Sequence, residues 1–356
     1  MNSLFEANTL AGIPMRNRFV RSATWEGAAE ENGLVSDRLT EMMCELAAGE
    51  VGLIISGHAY VASEGRAGNR QLAIDRDECL PGLTAMVKAV HDAGGRIAAQ
   101  LAHAGFSSRV TEGCEACAPD AVDQAWIKRT VKAFSEAALR AQKAGFDAVQ
   151  VHSAHGYMLS SFLSPRYNHR TDEYGGSIEN RARLLFEVYE NIRSVVGNDY
   201  PVFVKMNSED FIEGGMTVPT MLRTAAMLAF KGIDAIELSG GVQESEPEES
   251  PVRKVNPSGP DEEGYYLKAA RLYKQSIQVP LILVGGFRSL EACRRILENG
   301  EADYISLCRP LIREPDLVAR WRRGEVETCG CISCNACFRP ALAGRGIYCV
   351  PARKGR

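Results

Sequence analysis

His152, His155 and Tyr157 lie close together in the stretch AVQVHSAHGY. The apolar run before them, Ala148 to Val151, has the length of a buried strand. Side chains leaving the end of one strand can converge on one spot. Two imidazoles can hydrogen-bond one carbonyl oxygen, and a phenol beside an imidazole can share a proton-transfer task. The competing interpretation is a set of core histidines satisfied by backbone. Two histidines and a tyrosine packed this tightly after a strand favour a site.

Such a site needs elements to hold it, and strands and helices alternate along the whole chain. Candidate strands are Arg18–Ser22, Gly52–Ser56, Arg96–Leu101, Ala148–His152, Val202–Met206, Ala235–Leu238, Leu281–Val284 and Tyr304–Leu307. Amphipathic stretches follow most of them: Leu39–Ala48, Pro81–Ala93, Asp123–Ala144, Ile178–Val196, Pro219–Lys231, Tyr266–Gln275 and Leu290–Glu298. The returns AGFDAV, KGIDAI and NGEADYI each place a glycine just past a helix, before an apolar strand. Eight such units imply a parallel sheet with helical crossovers, and the count of eight suits closure into a (β/α)8 TIM barrel. Neither a Walker loop nor a G-x-G-x-x-G after a strand occurs.

In a barrel, chemistry collects at the C-terminal ends of the strands. The ends in order are Ser22-Ala23-Thr24-Trp25, then Gly57-His58 with Tyr60, Gln100 with His103, His152 with His155 and Tyr157, Lys205, Ser239-Gly240-Gly241, Gly285-Gly286, and Cys308-Arg309. Phosphates commonly bind the loops after the last two strands. Gly285-Gly286 permits close backbone approach to an anion, and Arg309 can add a charge-assisted hydrogen bond. A lysine inside VFVKM is badly placed for solvent, which favours a functional Lys205. Trp25, Glu26, Tyr60, Tyr265 and Tyr266 are candidates to line a substrate pocket, or else are ordinary loop residues.

Composition narrows the class. With 41 basic and 45 acidic residues the chain carries a net charge of −4, which gives no support for nucleic acid or an anionic membrane as partner. The N-terminal stretch has no apolar signal core, and no apolar run reaches membrane-spanning length, so a cytoplasmic protein is expected. Of 11 cysteines, Cys329, Cys331, Cys334 and Cys337 fall within nine residues, with Cys349 close behind. In a reducing compartment such clustering suggests metal or redox chemistry before disulfides. A four-thiolate Zn²⁺ site is one such outcome. Cys114 and Cys117 form a further C-x-x-C, taken as incidental.

The segment HSAHGYMLSSFLSPRYNHRTDEYGGSIENRARLLFE resembles the signature of the Old Yellow Enzyme family of FMN-dependent ene-reductases. Further matches run from Arg16 to Arg313. The resemblance implies a closed barrel over residues 1–325, with a cysteine-rich tail over 326–356 packed on it. It implies FMN held by Ser22, Ala23, Thr24, His58, Gln100, Lys205, Gly285, Gly286, Cys308 and Arg309. Gln100 and Lys205 match residues at the pyrimidine edge of the flavin ring, and either Thr24 or Trp25 falls at the edge that tunes its potential. Cys308 stands where the family often has glycine. The implied reaction takes hydride from NAD(P)H onto flavin and then onto an activated alkene. His152 and His155 would hold the activating carbonyl and Tyr157 would donate a proton. His169, Arg170, Asp172 and Glu173 would brace the signature loop. Trp25, Tyr60 and Tyr265 would line the substrate pocket.

The tail, CGCISCNACFRPALAGRGIYC, resembles the iron–sulfur segment of the dienoyl-CoA reductase branch of the same superfamily. That implies a [4Fe–4S] cluster on Cys331, Cys334, Cys337 and Cys349, with structural Zn²⁺ as the alternative. Two residues rather than the usual three separate Cys334 from Cys337. No relay domain follows within these residues, so such a cluster would need an external electron donor. The overall expectation is reduction of the C=C bond of a small α,β-unsaturated carbonyl or carboxyl compound. An FMN-dependent dehydrogenase or demethylase and a flavin-free barrel enzyme are the alternatives. A homo-oligomer is left open.

Overall fold

Eight short apolar runs become eight parallel strands, buried along their length except at Val284: β1 (Phe19–Arg21), β2 (Leu53–Ile55), β3 (Ile97–Ala102), β4 (Ala148–Ser153), β5 (Val202–Asn207), β6 (Ala235–Ser239), β7 (Leu281–Val284) and β8 (Tyr304–Leu307). These come from a computed structural model that describes residues 4–108 and 117–354. Each strand pairs in parallel with the next, and β8 closes on β1 with Ile305 opposite Phe19. The closed ring is the expected (β/α)8 barrel, which leaves no open sheet edge. Ala59–Tyr60 is a two-residue extension alongside β3.

Helices α1 (Asp37–Ala48), α2 (Leu80–Asp92), α3 (Gln124–Ala144), α4 (Arg183–Val196), α5 (Val218–Phe230), α6 (Leu267–Ser276), α7 (Leu290–Glu298) and α8 (Leu317–Arg322) alternate with the strands. Their starts are chemically marked. Ser36, Asp123 and Ser289 accept backbone N–H bonds from Leu39, Trp126 and Ala292, satisfying donors that a helix start leaves open. On α4 the residues Leu184, Leu185, Val188, Ile192 and Val196 form the buried stripe. The stretch Ile178–Val196 is two helices, Ile178–Arg181 and then α4, divided at Ala182.

A repeated device sets the register at the lower rim. Asp147, Asp234 and Asp303 each precede an even-numbered strand. Each accepts the first N–H of the strand before it, from Ile97 at 2.8 Å, Val202 at 2.8 Å and Leu281 at 2.7 Å. Each carboxylate also meets a helix side chain, His91, Arg193 or Lys274 respectively. An antiparallel hairpin, Asn8–Leu10 with Ile13–Met15, closes this end. Its Leu10, Ile13 and Met15 pack against Val20, Leu53, Phe203 and Ile282 inside the barrel.

The other end is covered in part by the tail. Thr328 bridges to Ser289, Cys329 N–H donates to Arg288, and Ile347 N–H donates to the Glu26 carbonyl. Cys337, Ala341 and Ile347 form a small buried cluster with Trp25, Met42 and Phe338. Among the described residues no helix is long and apolar enough to cross a membrane.

Candidate active site

The floor of the upper mouth is a buried polar network. Lys205, on β5, donates to Ser22 Oγ at 2.7 Å and to Glu237 Oε1 at 3.2 Å. Glu237, in the middle of β6, is fully buried and also accepts from Ser22 at 2.7 Å, Ser306 at 3.0 Å and Gln150 at 2.9 Å. Gln100 donates in turn to Gln150 at 2.7 Å. A carboxylate with four donors is stable in a dry interior because its charge is both paired and hydrogen-bonded. Two of the three Lys205 donors are committed to this network, and the third is available to a ligand above it.

Above the floor sit three imidazoles and a phenol. β4 ends in His152, and the chain then turns through left-handed backbone at His155 (φ +64°) and Gly156 (φ +76°). A β-carbon in that region is strained, and such strain persists where its surroundings hold it. Asn207 accepts the His155 N–H at 3.1 Å, and Ser239 Oγ meets His155 Nε2 at 2.8 Å. The turn brings the His152 ring 5.3 Å from His155 and 4.8 Å from Tyr157, centre to centre. His58, from the loop after β2, completes the group, with its Nε2 3.4 Å from the Tyr157 oxygen. Burial is the first cause that pushes all three imidazoles to low pKa, and for His152 and His155 the nearby Lys205 and the neighbouring imidazoles add to it. His58 is lowered to about 4. The rings are therefore neutral near pH 7, and each offers one N–H donor. His152 Nδ1 is buried without a hydrogen-bond partner among the described residues. Such a group can hold a carbonyl oxygen, stabilise charge building on it, and pass a proton.

A second pocket opens where β6, β7 and β8 end, reached from the imidazoles through Ser239. Gly285, Gly286, Cys308 and Arg309 line it together with Arg253 and Arg288. Arg253 Nε and Nη2 and Arg288 Nε are buried with no hydrogen-bond partner among the described residues. Arg253 instead lies against the faces of Phe211, Tyr265 and Tyr266, about 5 Å from each centroid. Arg288 bonds to Ser333 and the Phe287 carbonyl, and Arg309 to the Arg253 carbonyl and Asn335. Three guanidiniums facing one pocket, two of them with orphaned donors, fit a phosphate. A lysine and two amides at the floor fit the polar edge of a flavin ring. The residues present thus suit FMN along the length of the mouth.

The structure brings together most of the expected residues and moves some. Ser22, Gln100 and Lys205 share the floor network. Thr24 Oγ1 meets Cys308 Sγ at 3.0 Å. Ala23 packs toward the lower barrel cluster. His58, assigned by resemblance to the cofactor, contacts Tyr157. Tyr60 is 4% exposed in the core, and its hydroxyl donates to the Asn32 carbonyl. Tyr265 lies against Gly286 at the arginine pocket. Trp25 packs on the tail, and Glu26 pairs with buried Arg21 at 2.8 Å. Arg170 and Asp172 pair with each other inside the signature loop. Glu237, Gln150, Arg253 and Arg288 were not foreseen. A glutamate in the apolar run AIELS was the one visible signal among them.

The expected metal centre on Cys331, Cys334, Cys337 and Cys349 is not shown. Among the described residues no three His, Cys, Asp or Glu side chains are grouped to hold an ion. Cys331, Cys334, Cys337 and Cys349 do line one cavity beside Arg309 and Arg313. Cys334 is exposed, however, and Cys349 Sγ accepts from Arg313 at 3.7 Å. Burial, with Cys308 and Cys331 nearby, pushes the Cys337 thiol up to about 12. Cys114 lies outside the described residues, and Cys117 is buried.

Comparison with known proteins agrees with this geometry. Residues 3–327 match the NADH:flavin oxidoreductase / NADH oxidase family. An NADH oxidase from Thermoanaerobacter brockii is 34% identical over 94% of this chain, which spans 53% of that relative. The 2-naphthoyl-CoA reductase solved with 2-naphthoyl-CoA superposes over 97% of this chain and 56% of its own, with a TM-score of 0.86 and 25% identity. The chain thus spans about half the length of both. An old yellow enzyme homologue from Zymomonas mobilis aligns over 93% of this chain and 96% of its own, at 26% identity and a TM-score of 0.77. With its barrel, its polar floor and its paired pockets accounted for, the chain belongs to the Old Yellow Enzyme family of NADH:flavin oxidoreductases.

Proposed function

We propose that the chain is an FMN-dependent reductase of C=C bonds conjugated to a carbonyl or carboxyl group, drawing on NADH or NADPH. Bound FMN would supply hydride chemistry at the mouth; the residues do the rest. Lys205 and Gln100 would hold the polar edge of the ring, with Glu237 and Gln150 behind them. Arg253, Arg288 and Arg309 would hold the phosphate over Gly285 and Gly286. His152 and His155 would grip the substrate oxygen as neutral donors, drawing electron density from the alkene. Tyr157 would give its proton to the carbon beside the carbonyl.

The observation that carries this reading is the cluster of imidazoles and a phenol beside a buried lysine, with His152 in register with Lys205 on the adjacent strand. The test is anaerobic bleaching of the FMN-loaded protein with NADH or NADPH, followed by reoxidation with enones, enoates and enoyl thioesters. Fast reoxidation by at least one class is expected. Replacing His152 and His155 together by alanine should slow it about 100-fold or more, the scale of a lost oxyanion donor. A protein that binds no FMN, or a double variant that reacts at the parent rate, would overturn the assignment.

A further inference from the structure

We infer that His58, oriented by Gln71, is a positioning residue for proton donation: it holds the Tyr157 oxygen as an acceptor, so that the phenol hydrogen is directed away from His58 and toward the substrate. The inference rests on the reading of Tyr157 as the proton donor and goes beyond it, because neither His58 nor Gln71 belongs to the segment that carries that reading.

The chain of hydrogen bonds has only one direction. Gln71 is 1% exposed, and its Oε1 accepts the Ala67 N–H at 2.6 Å. An N–H cannot donate to an NH₂ group, so the amide orientation is fixed. Its Nε2 then faces His58, with the backbone oxygen at 3.0 Å and Nδ1 at 2.8 Å. Each takes one of the two amide hydrogens. Nδ1 therefore carries a lone pair. The ring is neutral near pH 7, since burial lowers its pKa to about 4. Its single N–H must be on Nε2, which lies 3.4 Å from the Tyr157 oxygen with the rings edge to face at 5.5 Å. His58 donates and the phenol oxygen accepts. Long contacts of this kind tighten when charge develops on the acceptor.

Proton transfer then balances as follows. The electron-rich carbon of the hydride-reduced substrate uses its electron pair to form a C–H bond. The Tyr157 O–H bond breaks and leaves its pair on oxygen. The phenolate is held by a hydrogen bond from His58 Nε2–H, whose proton stays on nitrogen, and a solvent proton later restores the phenol. Without Gln71 the other tautomer becomes available. Its Nε2 would accept the phenol hydrogen and draw it away from the substrate.

The experiment uses FMN-loaded protein, reduced anaerobically with dithionite and mixed with 2-cyclohexen-1-one or with oxygen, in H₂O and in D₂O. The wild type is compared with His58→Phe, His58→Gln and Gln71→Leu. His58→Phe and Gln71→Leu should lower the saturating enone rate, relative to the oxygen rate, by about 10-fold or more, a fraction of what a general acid is worth. They should also raise its solvent isotope effect. His58→Gln keeps an N–H donor and should stay within about threefold of the parent ratio. If His58→Phe and Gln71→Leu keep both the ratio and the isotope effect, the inference is wrong. If both lose enone and oxygen rates equally, the ring is only packing, and the inference is again wrong. If reduced wild type reacts with oxygen but with no enone, the functional reading fails and takes this inference with it.

Discussion

A histidine kept from water resists taking up a proton, and of the histidines at the strand ends His103 and His152 are buried and His58 and His155 half-buried. His103 is the cleanest case. It is 1% exposed, its Nδ1 accepts the Gly105 N–H, and burial lowers its pKa to about 4. The unfolded chain protonates the same ring near 6.5. Between those values the unfolded state binds more protons, so stability is fully present above pH 6.5 and is lost as pH falls toward 4. Each such ring contributes a slope of about 1.4 kcal/mol per pH unit in that window. Urea titrations of the wild type and His103→Phe between pH 7 and 5 should show a shallower slope in the variant. Identical slopes would mean that His103 is already protonated when folded. At this scale the sequence was readable where chemistry is contiguous. HSAHGY announced itself, because three polar rings follow one strand. His58 was visible as a strand-end residue, but its pairing with Gln71 and Tyr157 was not, since nothing in the spacing joins Gln71 to it and Tyr157 comes from another loop.

Strands and helices were legible because the apolar period changes from run to run, and most boundaries shift by one or two residues. The aspartates of GFDAV, GIDAI and EADYI were visible as a repeat, yet their use was not. Each reaches back to cap the strand before its own, a contact that only the closed barrel creates. The N-terminal hairpin escaped for a similar reason. Three-residue strands carry no period, and they form here because Leu10, Ile13 and Met15 fill the lower barrel. The most informative element is β6. A glutamate in mid-strand violates the apolar pattern, and the structure resolves the conflict through Lys205, Ser22, Ser306 and Gln150. Replacing Glu237 by leucine strands a buried ammonium group and should destabilise the fold by about 3–5 kcal/mol. Adding Lys205→Met should recover much of that loss, since the unpaired charge is removed with its partner. Urea denaturation of both singles and the double variant measures the coupling. Strictly additive losses would mean that the pair does not act as a unit.

Across the whole molecule, the loops after β6, β7 and β8 and the tail meet at one place, the arginine pocket. Tail residues Ser333 and Asn335 take left-handed backbone and hold Arg288 and Arg309. This gives the tail a mechanical role that does not involve its cysteines. The charge balance makes the pocket testable. Arg253 is 9% and Arg288 4% exposed, and among the described residues none of the Arg253, Arg288 and Arg309 guanidiniums forms an ion pair with a carboxylate; Glu263 meets Arg288 only by accepting its backbone N–H. Positive charges gathered this way are unfavourable until an anion arrives. Arg253→Met should therefore weaken FMN retention by about 10- to 100-fold, the scale of a lost charge-assisted hydrogen bond. Riboflavin has the same ring and no phosphate, so its affinity should be nearly unchanged. The flavin-free variant should unfold no more easily than the flavin-free wild type, because removing Arg253 also relieves repulsion. Fluorescence titration of the apoprotein with both flavins separates the effects. Equal weakening for the two would place Arg253 beside the ring rather than the phosphate, and would reverse the orientation of the cofactor along the mouth.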